Sequence, residues 1–396
     1  MSDPSGGSAD SQSPDDDRLP DSGQPPDDEG WLEQAGRRLI RAGGLERIVI
    51  GFASATLAIL IGLVIVAAAG YSPLAFVVQM LQGTLGSERG IALTLRESTI
   101  FILTGVSVAV AFRAGIFNIG VHGQLIFGGL ATVMSILYLA PFLPENAVGG
   151  WLLILLGIAC GIVVGGLYGA LPGALKAYAD ANEIITTIML NFIALGVGLF
   201  LLVGPFQGEG IQEARTDSLP DHAAFPDLVF GTGSFSLVGL GIALVTVVGT
   251  YVLLTRTRVG YDMVTSGQQA AAARYSGVDA GRTIVGTMTL SGMIAGLAGA
   301  VFGIMVLGGF VNPYGINTYG FDAIAVSLLA ANNPLGVVPA GILFGGLERG
   351  GSFIGVTTDI PSQLVDGIVG LVVLFVAAPE LFRMAALRRY GRGGDR

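Results

Sequence analysis

Apolar stretches near the length of a membrane crossing recur along the chain, separated by short polar or glycine-rich breaks. They cover roughly 46–70, 91–112, 114–140, 150–171, 184–205, 236–254, 283–310, 320–331, 334–348 and 362–378. An α-helix needs about 20 apolar residues to cross the hydrocarbon core, whereas a barrel strand needs about ten in strict alternation. The pattern predicts an all-α integral membrane protein, a polytopic bundle of about 10 transmembrane segments. Ahead of the first span, "WLEQAGRRLIRAGG" (31–44) interleaves Trp31, Leu32, Leu39 and Ile40 with Arg37, Arg38 and Arg41, the pattern of an interfacial amphipathic helix.

The apolar pattern fails in an informative way at "AFRAGIFNIGVHGQLIFGG" (111–129), which carries Arg113, Asn118, His122, Gln124 and five glycines. A charge at the bilayer centre costs roughly 2.5–3.5 kcal/mol on insertion scales, and glycine costs about 1 kcal/mol of helix propensity relative to alanine. Irregular backbone at that depth is tolerated only where protein buries it or a wet cavity borders it. The segment is therefore expected to be a discontinuous helix beside a polar path. "QLIFGGL" (124–130) resembles "GILFGGL" (341–347), and the second follows its own polar break, "AANNPLG" (330–336). Interrupted segments at matching places of two halves point to a transport site. The path candidates are Asn118, Gln124, Asn191, Asp322, Asn332 and Asn333. "LGIACGIVVGGLYGALPG" sets Gly157, Gly161, Gly165, Gly169 and Gly173 four residues apart, a side-chain-free helix face for close packing.

Charge sets the orientation. Residues 1–30 hold nine acids against Arg18 and form an acidic, Pro/Gly/Ser-rich tail expected to be disordered and cytoplasmic. That tail and a single lysine, Lys176, point to a salt-loving host. Arg37, Arg38, Arg41 and Arg47 precede the first span, and Arg383, Arg388, Arg389, Arg392 and Arg396 follow the last, making 381–396 a basic tail. The excess of Lys/Arg places both termini in the cytoplasm of a plasma-membrane protein, with the polar stretch 255–282 inside and the acidic loop 206–235 outside. Arg89, Arg96, Arg215 and Arg349 run against that map.

Catalytic and metal chemistry find little support. One cysteine, Cys160, rules out an intrachain disulfide, and the two histidines, His122 and His222, are far apart, so no metal cluster is expected. Lys176 lies in "GALKAY", which lacks the glycine-rich phosphate cradle, so any ATP must be bound by a partner and the chain is expected to need no cofactor of its own. No nucleophile–base pair emerges, and an enzyme is not expected. Nothing in the pattern points to a nucleic-acid polymer as partner.

Four stretches together resemble one family: "FRAGIFNIGVHGQ" (112–124), "EIITTIMLNFIA" (183–194), "GYDMVTSGQQAAAARYSGV" (260–278) and "GFDAIAVSLLAANNPLG" (320–336). They are similar to permease subunits of ABC importers, in the nucleoside and simple-sugar branch related to ribose and branched-chain amino-acid permeases. The resemblance spans about 45–380, the expected permease domain. It implies cytoplasmic ATPase subunits, a second permease subunit of a different chain and an external substrate-binding lipoprotein, all gathered at a lipid membrane. It also implies that 255–282 is a coupling loop, with Gly260, Ala272, Ala273, Arg274, Tyr275 and Gly277 matching the family pattern. Gln269 stands where that pattern has Asn, Val264 where it has Arg, and His122 where it has Glu. The first two fit a matched, unusual ATPase. The third leaves a Glu-based substrate contact unsupported. The neutral amides of the path suit a nucleoside or sugar cargo. The competing reading is an ion-coupled carrier that relays protons or sodium through Asp322 or Glu183.

Overall fold

A computed structural model describes residues 44–268, 275, 277–316 and 318–390. The acidic tail 1–30, almost all of the predicted interfacial helix 31–44, and Gln269, Ala272, Ala273 and Arg274 lie outside the described residues. In chain order the helices are α1 (Gly44–Ala68), α2 (Pro73–Leu85), α3 (Glu88–Arg113), α4 (Val121–Leu139), α5 (Ala147–Ala179) and α6 (Glu183–Val203). They continue as α7 (Leu237–Arg256), α8 (Arg258–Gln268), α9 (Ala280–Phe302), α10 (Tyr319–Leu329), α11 (Pro334–Thr357) and α12 (Ser362–Tyr390). Among the described residues the only β pairing is an isolated antiparallel bridge, Arg215 with Val311. The chain is thus all-α and polytopic, with seven helices among the described residues long and apolar enough to cross a membrane: α1 and α3–α7, together with α9 extended through its π-helical turn Gly303–Leu307.

Side-chain-to-backbone caps start many of these helices. Ser87 accepts from Gly90 N at α3, Asn146 from Gly149 N at α5, Asn182 from Ile184 N and Ile185 N at α6, and Asp279 from Arg282 N at α9. Each such cap satisfies a donor that the first helical turn leaves open, worth about 1 kcal/mol.

Burial sorts the bundle into a centre and a shell. The apolar stretches of α3 and α9 are 83% and 72% buried, against 22% for α6 and 28% for α1 and α7. On α6 the exposed residues include Ile185, Met189, Phe192 and Phe200, an apolar face suited to lipid. The closest helix contacts are made by glycine. A Cβ on Gly165 would lie 2.6 Å from both Gly292 O and Gly296 Cα, and one on Gly296 would overlap Gly161 O. Gly128 of α4 sits against Gly296 in turn, so α4, α5 and α9 share one backbone-to-backbone seam. Gly157 and Gly169 of the predicted glycine face meet Ile136 and Gly292. Such seams bring helices together in lipid, where no hydrophobic effect drives them.

Two irregular excursions shape the interior. α8 lies at one end of the bundle, here the proximal end, since Gly267 abuts the Ala114 carbonyl just past the end of α3. After α3 the chain runs back into the bundle as irregular backbone through 114–120, and α4 begins inside. After α9 and its π turn, residues 308–316 enter from the opposite, distal end, and α10 begins inside. The two helix starts meet. A Cβ on Gly320 would overlap His122, and the His122 and Phe321 rings lie 5.4 Å apart.

These facts revise several expected boundaries. The segment that mirrors 111–129 is 303–329, not 330–347. The break at 330–333 is only a tight turn, made with positive φ at Ala331 and Asn332, between α10 and α11. The apolar run 334–348 continues to Thr357, because Glu348 and Arg349 face protein and end no helix. Two helices escape a search for 20-residue runs: α2, 13 residues long, and α8, 11 residues long, which fills part of the expected loop.

Candidate functional site

The proximal excursion is held by amides. Asn118, fully buried, donates from Nδ2 to Gln124 Oε1 at 3.0 Å and to Ser291 Oγ of α9 at 2.8 Å. Its Oδ1 accepts from Gly120 N at 3.0 Å and from Gln124 Nε2 at 3.2 Å. Ser291 is tied to α3, since Ser107 and Ser291 each donate from Oγ to the other's carbonyl at 2.7 Å. From α6, Asn191 accepts from Gly123 N at 2.9 Å and donates to Ile119 O at 2.9 Å. Backbone that leaves the helical pattern in lipid must find partners inside the protein. Asn118 and Asn191 supply those partners for 119–123. The structure therefore brings Asn118, Gln124 and Asn191 together, with both donors and both acceptor positions of Asn118 committed.

The remaining path candidates sit elsewhere. Asp322, in the first turn of α10, accepts from Thr318 Oγ1 at 2.9 Å. Asn332 accepts from Ser327 Oγ at 2.9 Å in the α10–α11 turn, and Asn333 caps α11 through Leu335 N at 3.1 Å. Glu183 pairs with Lys176 at 2.7 Å at the proximal end. Both carboxylates that an ion-coupled carrier would use thus have local partners.

A second polar group lies apart from the predicted path candidates. A cavity of about 250 Å³ lies among α3, α9, α10 and α11 on the distal side. Its polar wall is Arg96, Glu97, Tyr319, Glu348, Arg349 and Ser352, and its apolar wall includes Phe302 and Val306. Glu97, nine-tenths buried, receives Arg96 Nη2 at 2.8 Å and the Tyr319 hydroxyl. The Nε of Arg349 is buried without a hydrogen-bond partner. An adjoining cavity of about 390 Å³, between α11 and α12, shares Glu348 and Ser352 and adds Asp366. The signal that could have found this group was the orientation map. Arg96 and Arg349, two of its exceptions, sit here because protein, not lipid, surrounds them.

At the proximal end, α8 is amphipathic. Gly260, Met263 and Ser266 form a buried stripe at helical spacing, while Val259 and Tyr261 are exposed. Arg258 reaches Asp262 one turn on, at 3.9 Å. Of the other residues that the family resemblance marks for ATPase coupling, Tyr275 is exposed and Gly277 takes φ +81°.

Residues 90–377 match the family model described as "Branched-chain amino acid transport system / permease component". The chain belongs to this family. The permease is 32% identical over 337 residues to the nucleoside ABC transporter permease protein NupB of Lactococcus lactis subsp. cremoris, covering 83% of this chain and 88% of that one. It is 31% identical over 360 residues to the guanosine ABC transporter permease protein NupP of Bacillus subtilis, covering 88% and 98%. It is also 34% identical over 308 residues to the glucose ABC transporter permease protein TsgB13 of Haloferax volcanii, covering 76% and 79%. The family match takes in both excursions, the amide knot, the charged cavity and α8. The permease's α1 and α2 lie before it.

Proposed function

We propose that this permease is the membrane subunit of an ABC importer that carries nucleosides or simple sugars into the cell. The observation that carries the reading is α8. It offers an exposed face at the proximal end, and Gly267 seats it on the carbonyl of Ala114, where the discontinuous segment begins. A helix so placed can pass movement of a docked ATPase directly to the irregular backbone of 114–120. The cargo class follows the relatives, which are named for nucleosides, guanosine and glucose.

The proximal end is the cytoplasmic one in this reading. Arg113, Lys176, Arg256, Arg258 and Arg282 gather there, while the distal loops hold Glu145, Glu209, Glu213, Asp217, Asp221 and Asp227. That is the Lys/Arg asymmetry of cytoplasmic loops. Partner ATPases bind and hydrolyse ATP, a second permease chain completes the pathway, and an external binding protein delivers cargo to the distal end. Import then proceeds by alternating access: nucleotide-driven closure of the ATPases shifts α8, and the 114–120 segment moves together with the amide knot that holds it.

The test is uptake of labelled guanosine, adenosine and glucose by cells lacking the permease, against cells with it restored, with the partner ATPase intact or disabled. Uptake that returns with the permease and vanishes with ATPase loss supports the reading. Uptake that survives ATPase loss and collapses with the ion gradient overturns it.

A further inference from the structure

The charged cavity is built unlike the rest of the interior. Four charged side chains, Arg96, Glu97, Glu348 and Arg349, line one half-open space on the distal side of the bundle. Glu97 stands nine residues after the start of α3, and Glu348 nine residues before the end of α11. Each is roughly 14 Å in from the distal end of its helix. Ionisable groups at such depth are costly and face interior cavities that serve a path. A merely structural cluster would close on itself, as the Asn118 knot does. Here a cavity remains on each side of Glu348 and Ser352, and the Arg349 Nε–H has no acceptor.

We propose that these two adjoining cavities form a single cargo chamber, in which Glu97, Glu348 and Arg349 bind an uncharged molecule rich in hydroxyl and amino donors. The inference rests on the importer reading above and names the site that reading lacks. The Glu97 carboxylate, ion-paired with Arg96, only accepts hydrogen bonds, so it favours ligands that donate, such as sugar hydroxyls and exocyclic amines, and the Glu348 carboxyl stands in the same wall. Arg349, also in the lining, adds a cationic guanidinium that can meet a carbonyl or ring oxygen. Phe302 and Tyr319, whose rings meet edge to face at 5.4 Å, supply an aromatic wall against which a flat base or a sugar face can lie. Glu97, Glu348 and Asp366 against Arg96 and Arg349 leave the combined lining formally negative, which disfavours phosphorylated cargo. A volume of about 250 Å³ is close to the lower end of small-molecule sites, about 300 Å³.

The experiment uses the assembled importer in proteoliposomes, with its binding protein and ATPases. The only cysteine is first removed by Cys160→Ser. Ser352→Cys is then introduced, with Phe192→Cys on the lipid-facing side of α6 as a control. A charged, water-soluble thiol reagent should label Ser352→Cys and spare Phe192→Cys, and saturating guanosine should slow the labelling several-fold, whereas guanosine monophosphate should not. In parallel, Glu348→Gln and Arg349→Gln should each lower the maximal guanosine uptake rate about tenfold, the size of one lost charge-assisted hydrogen bond. Labelling that guanosine leaves unchanged, with uptake by both variants within about twofold of the parent, overturns the chamber while the importer reading stands. If the parent importer moves no nucleoside or sugar at all, the importer reading fails and the chamber falls with it.

Discussion

The permease has two polar interiors, and they are finished differently. On the proximal side, Asn118, Gln124, Asn191, Ser107 and Ser291 are neutral, buried and bonded to one another and to the irregular backbone. On the distal side, Arg96, Glu97, Glu348 and Arg349 are charged, border empty space and leave one donor open. The first group repairs a break in a helix. The second maintains a space that lipid would not tolerate and water or cargo would fill. Polarity within a membrane therefore carries two meanings, and the state of its hydrogen bonds separates them.

That contrast predicts opposite mutational behaviour. The largest expected effect is on the proximal side. Asn118→Ala leaves Gln124, Ser291 and Gly120 N short of partners and should destabilise the permease by roughly 2–4 kcal/mol, seen as early thermal aggregation in detergent. If Asn118→Ala melts like the parent, the knot is not structural and the comparison collapses. Next comes Gly296→Ala, which forces α5 and α9 apart at Gly161 O and should cost about 1–3 kcal/mol in the same assay. A double-mutant cycle of Asn118→Ala with Ser291→Ala should return a coupling of about 1 kcal/mol or more, sharpening the distinction between a network and isolated bonds. On the distal side, Arg349→Lys should change stability by less than about 1 kcal/mol while slowing transport, since a lysine keeps the charge and loses the planar donor fork. Equal loss of stability and transport would show that the cavity is held as rigidly as the knot.

The smallest effect concerns a loop outside both interiors. Asp227 is opposed by desolvation, yet hydrogen bonds from the N–H groups of Gly233, Phe230, Val229 and Gly231 outweigh it and hold its carboxyl below the ordinary range. A depressed folded-state pKa stabilises above the unfolded value and is lost as pH falls through the folded one. Proteolysis of the loop 226–236 should therefore rise only in strong acid, and Asp227→Asn should remove that pH dependence.

Much of this architecture is legible in the sequence. Each expected apolar segment overlaps a described helix, although seven helices rather than about ten are long and apolar enough to cross a membrane, and the glycines and amides of 111–129 mark its break. The roles were harder to read. A buried asparagine that serves backbone and one that serves cargo have the same letter and the same depth, and only the geometry of Asn118 tells them apart. The matching of "QLIFGGL" with "GILFGGL" followed side-chain composition, whereas the fold pairs the segments by where the backbone turns inward. An apolar scan treats a charge as the end of a span, so it does not place Glu348 and Arg349 inside a helix. Their helix continues because its charged face meets protein. α2 escaped for want of length, although Ser72 and Pro73 carry the start signal of a helix.

The meeting of α4 and α10 has a consequence for leakage. The two helices begin inside the bundle, reached from opposite ends by irregular chain, and their starts touch through His122, Gly320 and Phe321. Any aqueous route along one excursion that met a route along the other would be separated from it only by these side chains. A cell that stores energy as an ion gradient would then rely on that contact to keep the gradient. A protein that enlarged its cargo space by thinning this plug would gain speed and lose insulation, so permeability to protons and small ions sets a limit on how far the two excursions can separate.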